Sequence, residues 1–279
     1  MNQSSISDYY DYTLPFYKFF WHKNNSNALH YGFWKQGTQN LQEALINTNR
    51  YLANKAHITK DNTVLDAGCG IGGSSIWLAQ TIGCSVVGIT ISDKQVARAK
   101  DLAKKHGVDS KVQFFNENFT NTKFDDESFD VVWAIESVCH ATEKSDFLNE
   151  AYRILKKDGR LILADGFLKR DPISEHERKI NSDFCIGLQL PNMVKFSDFE
   201  KKLSAAGFNN IVAEDKSDEV RPSSKKLYNM CRIGYPISKL TGLLGLTPKL
   251  LTLNNLAGIK QYEGGNSGLF CYVVFYAKK

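Results

Sequence analysis

Cysteine pairs are missing from this chain. Cys69, Cys84, Cys139, Cys185, Cys231 and Cys271 are scattered, and no two form a C-x-x-C pair. That spacing argues against a disulfide framework or a zinc site and suits a reducing, cytoplasmic setting. No apolar run approaches the roughly 18 residues needed to span a bilayer, so no integral membrane segment is expected. Residues 1–11 are polar and lack the apolar core of a signal peptide. Concentrated charge is missing too. Thirty-five Lys and Arg against 30 Asp and Glu leave a formal net charge of +5, with basic residues only in short clusters such as Lys104–Lys105, Lys156–Lys157, Lys201–Lys202 and Lys225–Lys226. A nucleic-acid binder usually gathers such residues into a stripe, so no nucleic-acid partner is expected. No His/Asp/Glu group has ligand spacing, which implies no metal, and no period of 20–50 residues implies no repeat architecture.

What is present begins at residues 64–73, V-L-D-A-G-C-G-I-G-G. A short apolar run passes through Asp66 into glycines at 68, 70, 72 and 73, and a helical apolar stretch (Ile76, Trp77, Leu78, Ala79) follows. Strand, glycine turn and helix in that order bring backbone close to a nucleotide-like ligand, where a Cβ would block the approach. Gly68, Gly70 and Gly73 satisfy G-x-G-x-x-G, which alone suggests a dinucleotide site. Asp66 decides otherwise. A carboxylate there would repel a pyrophosphate but welcome an ammonium group, and S-adenosylmethionine (SAM) carries an amino group, a sulfonium and no phosphate.

From residue 61 the pattern alternates strand and helix, the signature of a parallel sheet with crossover helices. Strands are expected at 63–67, 85–89, 112–115, 129–134 and 160–164. Helices are expected at 73–82, after the N-cap Ser92, and at 144–155, ended by a turn at 157–159. A helix of about 15 residues with Leu41, Leu45, Ile46 and Leu52 on one face precedes them. The first 35 residues are dense in aromatics, and their first cluster (Tyr9 to Trp21) reads as an amphipathic helix ending near His22, either core or lid. Beyond 166 the expected elements are helices at 172–188 and 196–206, a strand at 210–214, mixed helix and loop with Leu-rich faces over 220–260, and a last strand at 269–277.

D-A-G-C-G-I-G resembles the first motif of class I SAM-dependent methyltransferases. G-I-T-I-S-D-K-Q (88–95) resembles the G-I-T-L-S-x-x-Q run of cyclopropane fatty-acid synthases and tocopherol-type methyltransferases. A-I-E-S-V-C-H-A-T (134–142) is similar to the A-I-E-A-T-C-H-A-P string of sterol C-methyltransferases, and also to the M-E-S-x-E-H-M string of the tocopherol group. H-Y-G-F-W (30–34) resembles a segment that covers the SAM site in the tocopherol group. The resemblance covers residues 27–166. It implies a Rossmann-like, doubly wound, mostly parallel seven-stranded sheet with an antiparallel last strand at the edge, plus N-terminal helices and a helical insertion. It also implies three parts: an N-terminal helical lid (1–60), a SAM-binding core (61–168), and substrate-pocket helices with closing strands (169–279).

Ligands collect at the carboxyl ends of parallel strands, and the resemblance assigns candidates there. Asp66, Gly68, Cys69 and Gly70 would hold the methionine part of SAM. Thr90, Ile91 and Gln95 would meet the ribose, where many relatives carry an acid instead. Asn118 would accept from the adenine amino group, with Phe119 beside it, and Tyr31 and Trp34 would cover the cofactor. His140, with a pKa near neutrality, would take a proton, and Glu136 would orient it or hold the cofactor.

The expected function is methyl transfer from SAM to O, N or C of a small, largely apolar acceptor such as an isoprenoid, sterol-like or phenolic molecule, leaving S-adenosylhomocysteine. The alternative is a cyclopropane-synthase-like lipid enzyme, against which no basic amphipathic segment for lipid surfaces stands out. A macromolecule methyltransferase or a SAM-binding protein without catalysis is less favoured. A nicotinamide oxidoreductase would need an acid at the end of the second strand and none at 66, the reverse of what is found here. The acceptor's identity and the oligomeric state are left open by the residues.

Overall fold

The computed structural model describes residues 30–279; the expected aromatic helix ending near His22 lies outside them. Short apolar runs form seven strands: β1 (Thr63–Ala67), β2 (Ser85–Thr90), β3 (Val112–Asn116), β4 (Phe129–Ile135), β5 (Leu155–Leu168), β6 (Asn209–Asp215) and β7 (Phe270–Lys278). They make one sheet in the order β3-β2-β1-β4-β5-β7-β6. β1 pairs parallel with β2 and β4, β2 with β3, and β4 with β5, while β7 runs antiparallel to β5 and β6. The strand order reverses beside β1, between β1 and β4, which is where a doubly wound sheet opens a crevice for ligand.

Helices cover both faces, because strand residues alternate sides. Val64, Val86, Val131 and Ile162 pack with α1 (Leu41–Lys55), α2 (Gly73–Thr81) and α3 (Asp93–Lys105) through Leu52, Leu78 and Ala99. Their neighbours Leu65, Val132 and Leu163 pack on the other face with α4 (Lys144–Ile154) and α6 (Phe196–Ala205) through Phe147, Leu148, Phe199 and Leu203. Side-chain caps set where helices begin. Asn40 accepts from Glu43 at α1, and Ser92 accepts from Gln95 at α3. On α1 the buried stripe is Leu41, Ala44, Leu45, Thr48 and Leu52; Ile46 falls beside it and is only partly buried.

Three expectations need correction. β5 begins at Leu155 and runs through the turn expected at 157–159, which survives only as a local irregularity with Asp158 at φ 61°. β7 is antiparallel but not at the edge. Phe270 to Ala277 are all buried, so the strand needs neighbours on both sides, and the edge falls to β6. β6 bears a register irregularity between Asn209 and Val212, and its Glu214 takes Lys55 and Tyr51 from α1.

The third correction concerns residues 220–260. They form two long helices, α7 (Ser217–Leu243) and α8 (Lys249–Asn266), not mixed helix and loop. α7 continues through Pro222 and Pro236, each of which removes one donor from the helix ladder. Close approach compensates. A Cβ on Gly258 of α8 would lie 2.3 Å from Cys231 Sγ of α7. One on Gly187, at the end of α5 (Glu175–Gly187), would lie 2.3 Å from the Leu253 carbonyl oxygen. Leu240, Leu243, Leu244 and Leu246 face solvent. Gly187→Val should therefore destabilise the protein by about 1–3 kcal/mol, measured by urea denaturation, because a backbone oxygen cannot rotate out of the way.

Candidate active site

β1 ends in a turn whose backbone N–H groups at Gly68 and Cys69 both donate to Ile89 O at 2.9 Å, tying it to the end of β2. Gly68 sits at φ 88°, and a Cβ there would lie 2.3 Å from Ser137 Cβ, so this position requires glycine. Ser137 Oγ donates to Ala67 O at 2.6 Å, joining the turn to the segment after β4. Asp66 is buried and turned onto α2, where its Oδ2 accepts from Ser75 Oγ at 2.5 Å. Burial raises its pKa to about 6 against the opposing Ser75 bonds. The carboxylate thus braces the glycine turn.

Thr90 and Gln95 are brought together, both buried, with Thr90 Oγ1 donating to Gln95 Oε1 at 2.6 Å. Ile91 follows β2, and Cys69 is partly buried in the turn. Asn118 Oδ1 already accepts from the Thr120 N–H and hydroxyl, each at 3.0 Å, so an adenine amino group would compete with Thr120 for it. Phe119 packs edge-to-face on Phe147, with ring centroids 5.5 Å apart. Trp34 donates from Nε1 to Ser223 Oγ at 2.9 Å and pins residues 30–34 to α7.

Beyond β4 the chain turns sharply at Glu136, which holds φ 49° in the left-handed region that non-glycine residues rarely occupy. The turn is held by Glu136 N–H donating to Ala164 O at 2.8 Å. The side chain's Oε1 accepts from the Tyr31 N–H at 2.7 Å and the Tyr272 hydroxyl at 2.9 Å. Burial raises its pKa to about 8, with the nearby Asp165 carboxylate adding to the rise and the two hydrogen bonds opposing it.

His140 ends a single 3-10 turn, Val138–His140. Its pKa is lowered to about 4 by burial and then by Lys144, while a hydrogen bond to the Gln189 backbone acts the other way. This corrects the expectation of a histidine poised near neutrality. The ring is neutral at pH 7, and it is tied to Gln189, as Glu136 is to Tyr31 and Tyr272.

Tyr31, Glu136, Cys139 and His140 line one partly open cavity of about 1040 Å³, counted out through its mouth into solvent, whose walls are otherwise largely apolar, among them Phe184, Leu188, Leu190, Met193 and Leu227. A second hollow of about 600 Å³ shares Tyr31, Phe184, Met193, Gln261 and Tyr272 with it. Asp165 and Tyr272 also line the larger cavity and were not anticipated. Asp165 follows the last residue that β5 pairs with β4, and burial raises its pKa. The strand-end rule applied to β5 would have found it; Tyr272 carries no such local signal, because β7 reaches the site antiparallel. Glu136 also links stability to pH. Its carboxyl, about 8 when folded against 4.5 as the ordinary value, holds a proton that the unfolded protein has lost. Stability therefore falls as pH rises between those values. Below 6.5, His30 and His140, both lowered to about 4, act in the opposite sense. Thermal unfolding should show a decline from pH 6.5 to 8 that Glu136→Gln flattens.

Residues 65–163 match the family model described as a methyltransferase domain. The chain is similar to the sterol 24-C-methyltransferase of Saccharomyces cerevisiae, 32% identical over 212 residues covering 75% of this chain and 54% of that protein. It thus spans about half of that relative's length. The sterol 24-C-methyltransferase of Debaryomyces hansenii is 30% identical over 96% of this chain and 77% of that protein. The 27-O-demethylrifamycin SV methyltransferase of Amycolatopsis mediterranei is 34% identical over 71% and 72%. Among solved structures, a cyclopropane synthase from Mycobacterium tuberculosis superposes with a TM-score of 0.83 at 17% identity, covering 100% of this chain and 99% of that one. A geranyl diphosphate methyltransferase bound to its diphosphate and sinefungin gives 0.78 at 21% identity, covering 99% and 98%. These structures share the fold, and the sequence relatives share methyl transfer across different acceptors. The chain belongs to the class I SAM-dependent methyltransferases.

Proposed function

We propose that the protein transfers the methyl group of SAM to O, N or C of a small, largely apolar acceptor bound in the cavity of about 1040 Å³. The observation that carries this reading is the cavity itself: apolar walls, two buried carboxyl groups, and a place beside the glycine turn where the sheet opens. The cofactor would lie over Gly68 and Gly70, with Thr90 and Gln95 toward its ribose and Asn118 toward its base. None of these positions is basic, and the acids Glu136 and Asp165 line the cavity. That donor set fits a cationic ligand without phosphate and not a dinucleotide. When bound, SAM supplies an activated methyl group, so the protein must align the acceptor, exclude water and manage one proton.

The chain's own groups divide that work. The apolar walls of α5, α7 and α8 hold and desolvate the acceptor. Glu136, which lines the cavity and whose pKa burial raises to about 8, is the proposed proton acceptor once ionised. His140, neutral throughout the physiological range, serves as a hydrogen-bonding partner for the acceptor. Residues 30–60 act as cover, 61–168 as the cofactor core, and 169–279 as the pocket with the closing strands. All six cysteines are free, which supports a reducing, cytoplasmic setting.

Titration calorimetry with SAM, and with NADH as control, tests the cofactor. SAM should bind and NADH should not, and Thr90→Val should weaken SAM by about tenfold, the equivalent of one hydrogen bond. S-adenosylhomocysteine should then accumulate with at least one member of a panel of isoprenoids and phenols. NADH binding in place of SAM would overturn the reading.

A further inference from the structure

The α7–α8 hairpin has an outer face that methyl transfer does not use. Ile233, Ile237, Leu240 and Leu244 follow one another at i, i+4, i+7 and i+11, so they form one stripe along α7. With Leu243 and Leu246 at the tip, these side chains are 57–80% exposed. Scattered exposed leucines need no explanation, but a contiguous apolar patch marks an interaction surface. Cys231 and Ser238, on the opposite side of α7, are buried.

Charge identifies the partner. Residues 221–262 contain seven Lys and Arg and no Asp or Glu, although acids nearly equal bases over the whole protein. Arg221, Lys225, Arg232 and Lys239 fall on a second stripe of α7 beside the apolar one, and all four are exposed. Among the described residues Lys225, Lys226, Arg232, Lys239 and Lys249 make no ion pair. Arg221 is paired with Asp218 in the first turn of α7, but from Lys225 onward the basic stripe meets no acid, and such a stripe alongside an apolar one is the pattern of a helix lying in the surface of an anionic bilayer. Read as mixed helix and loop, the segment shows no such pattern; it emerges because α7 runs unbroken through Pro236. No helix among the described residues is long and apolar enough to cross a membrane, so the contact would be peripheral.

We infer that the outer face of the α7–α8 hairpin docks the enzyme on anionic lipid surfaces. The same two helices line the cavity with Leu227, Cys231, Asn254 and Ala257. Docking would therefore hold an apolar pocket one helix away from a store of apolar molecules. A second copy of the protein is the rival occupant of this face. Its own surface there would be equally basic, so two such faces would repel.

Cosedimentation with vesicles tests the inference without cofactor or acceptor, so its failure and that of methyl transfer are separable. The protein should pellet with phosphatidylcholine vesicles containing about one-third phosphatidylserine, far less with phosphatidylcholine alone, and be released by raised salt. Leu240→Glu combined with Leu244→Glu, both at exposed positions, should reduce binding at least about tenfold, with thermal unfolding and SAM affinity unchanged. Lys225→Glu with Lys239→Glu should abolish the preference for anionic vesicles. Wild-type protein that ignores anionic vesicles would overturn the inference. So would a leucine variant that still binds vesicles but changes from dimer to monomer in gel filtration.

Discussion

A buried carboxyl group with too few partners is the constraint around which this molecule is assembled. Glu136 sits where four parts of the protein meet. Its backbone is fastened to β5, and its side chain takes one bond from the segment before α1 and one from β7. Removing a carboxylate from water is expensive unless it is paired, and two neutral donors do not pair it. The strained φ at this residue is the local cost of aiming the side chain inward. Burial therefore favours the protonated form, and the ionised form would gain from a nearby positive charge. Burial pushes up the carboxyl of Asp165 beside it as well, although Asp165 accepts from the Cys139 and Gly166 N–H groups and has the Lys144 ammonium near it.

How much of this was legible depended on range. β1 to β4 and their helices announce themselves by local alternation, caps and glycine turns, and they appear within a residue or two of where the pattern puts them. Thr90 and Gln95 lie close in sequence, and they meet at the end of β2. Tyr272 could not be found that way. It reaches Glu136 from 136 residues away through a strand whose neighbours depend on the whole sheet. The position of β7 inside the sheet has the same origin, since burial on both faces is a property of the assembled core.

The long helices after β6 were obscured for a different reason. Pro222, Pro236 and the glycines of that region each lower helix propensity, so a local reading breaks the segment. Packing overrides that preference. The small residues that weaken the isolated helix let α5, α7 and α8 approach at backbone distance. His140 is obscured by a similar route: residue type suggests a titrating imidazole, while its surroundings keep it neutral.

The irregular, charged rim at β6 bears on how the molecule can grow. An edge strand with unpaired backbone groups is a template on which a second molecule can extend a sheet. Here the bulge spoils the register, and Glu214, fastened to α1, crowds the approach with charge. Polymerisation by adding strands is closed at that end of the sheet.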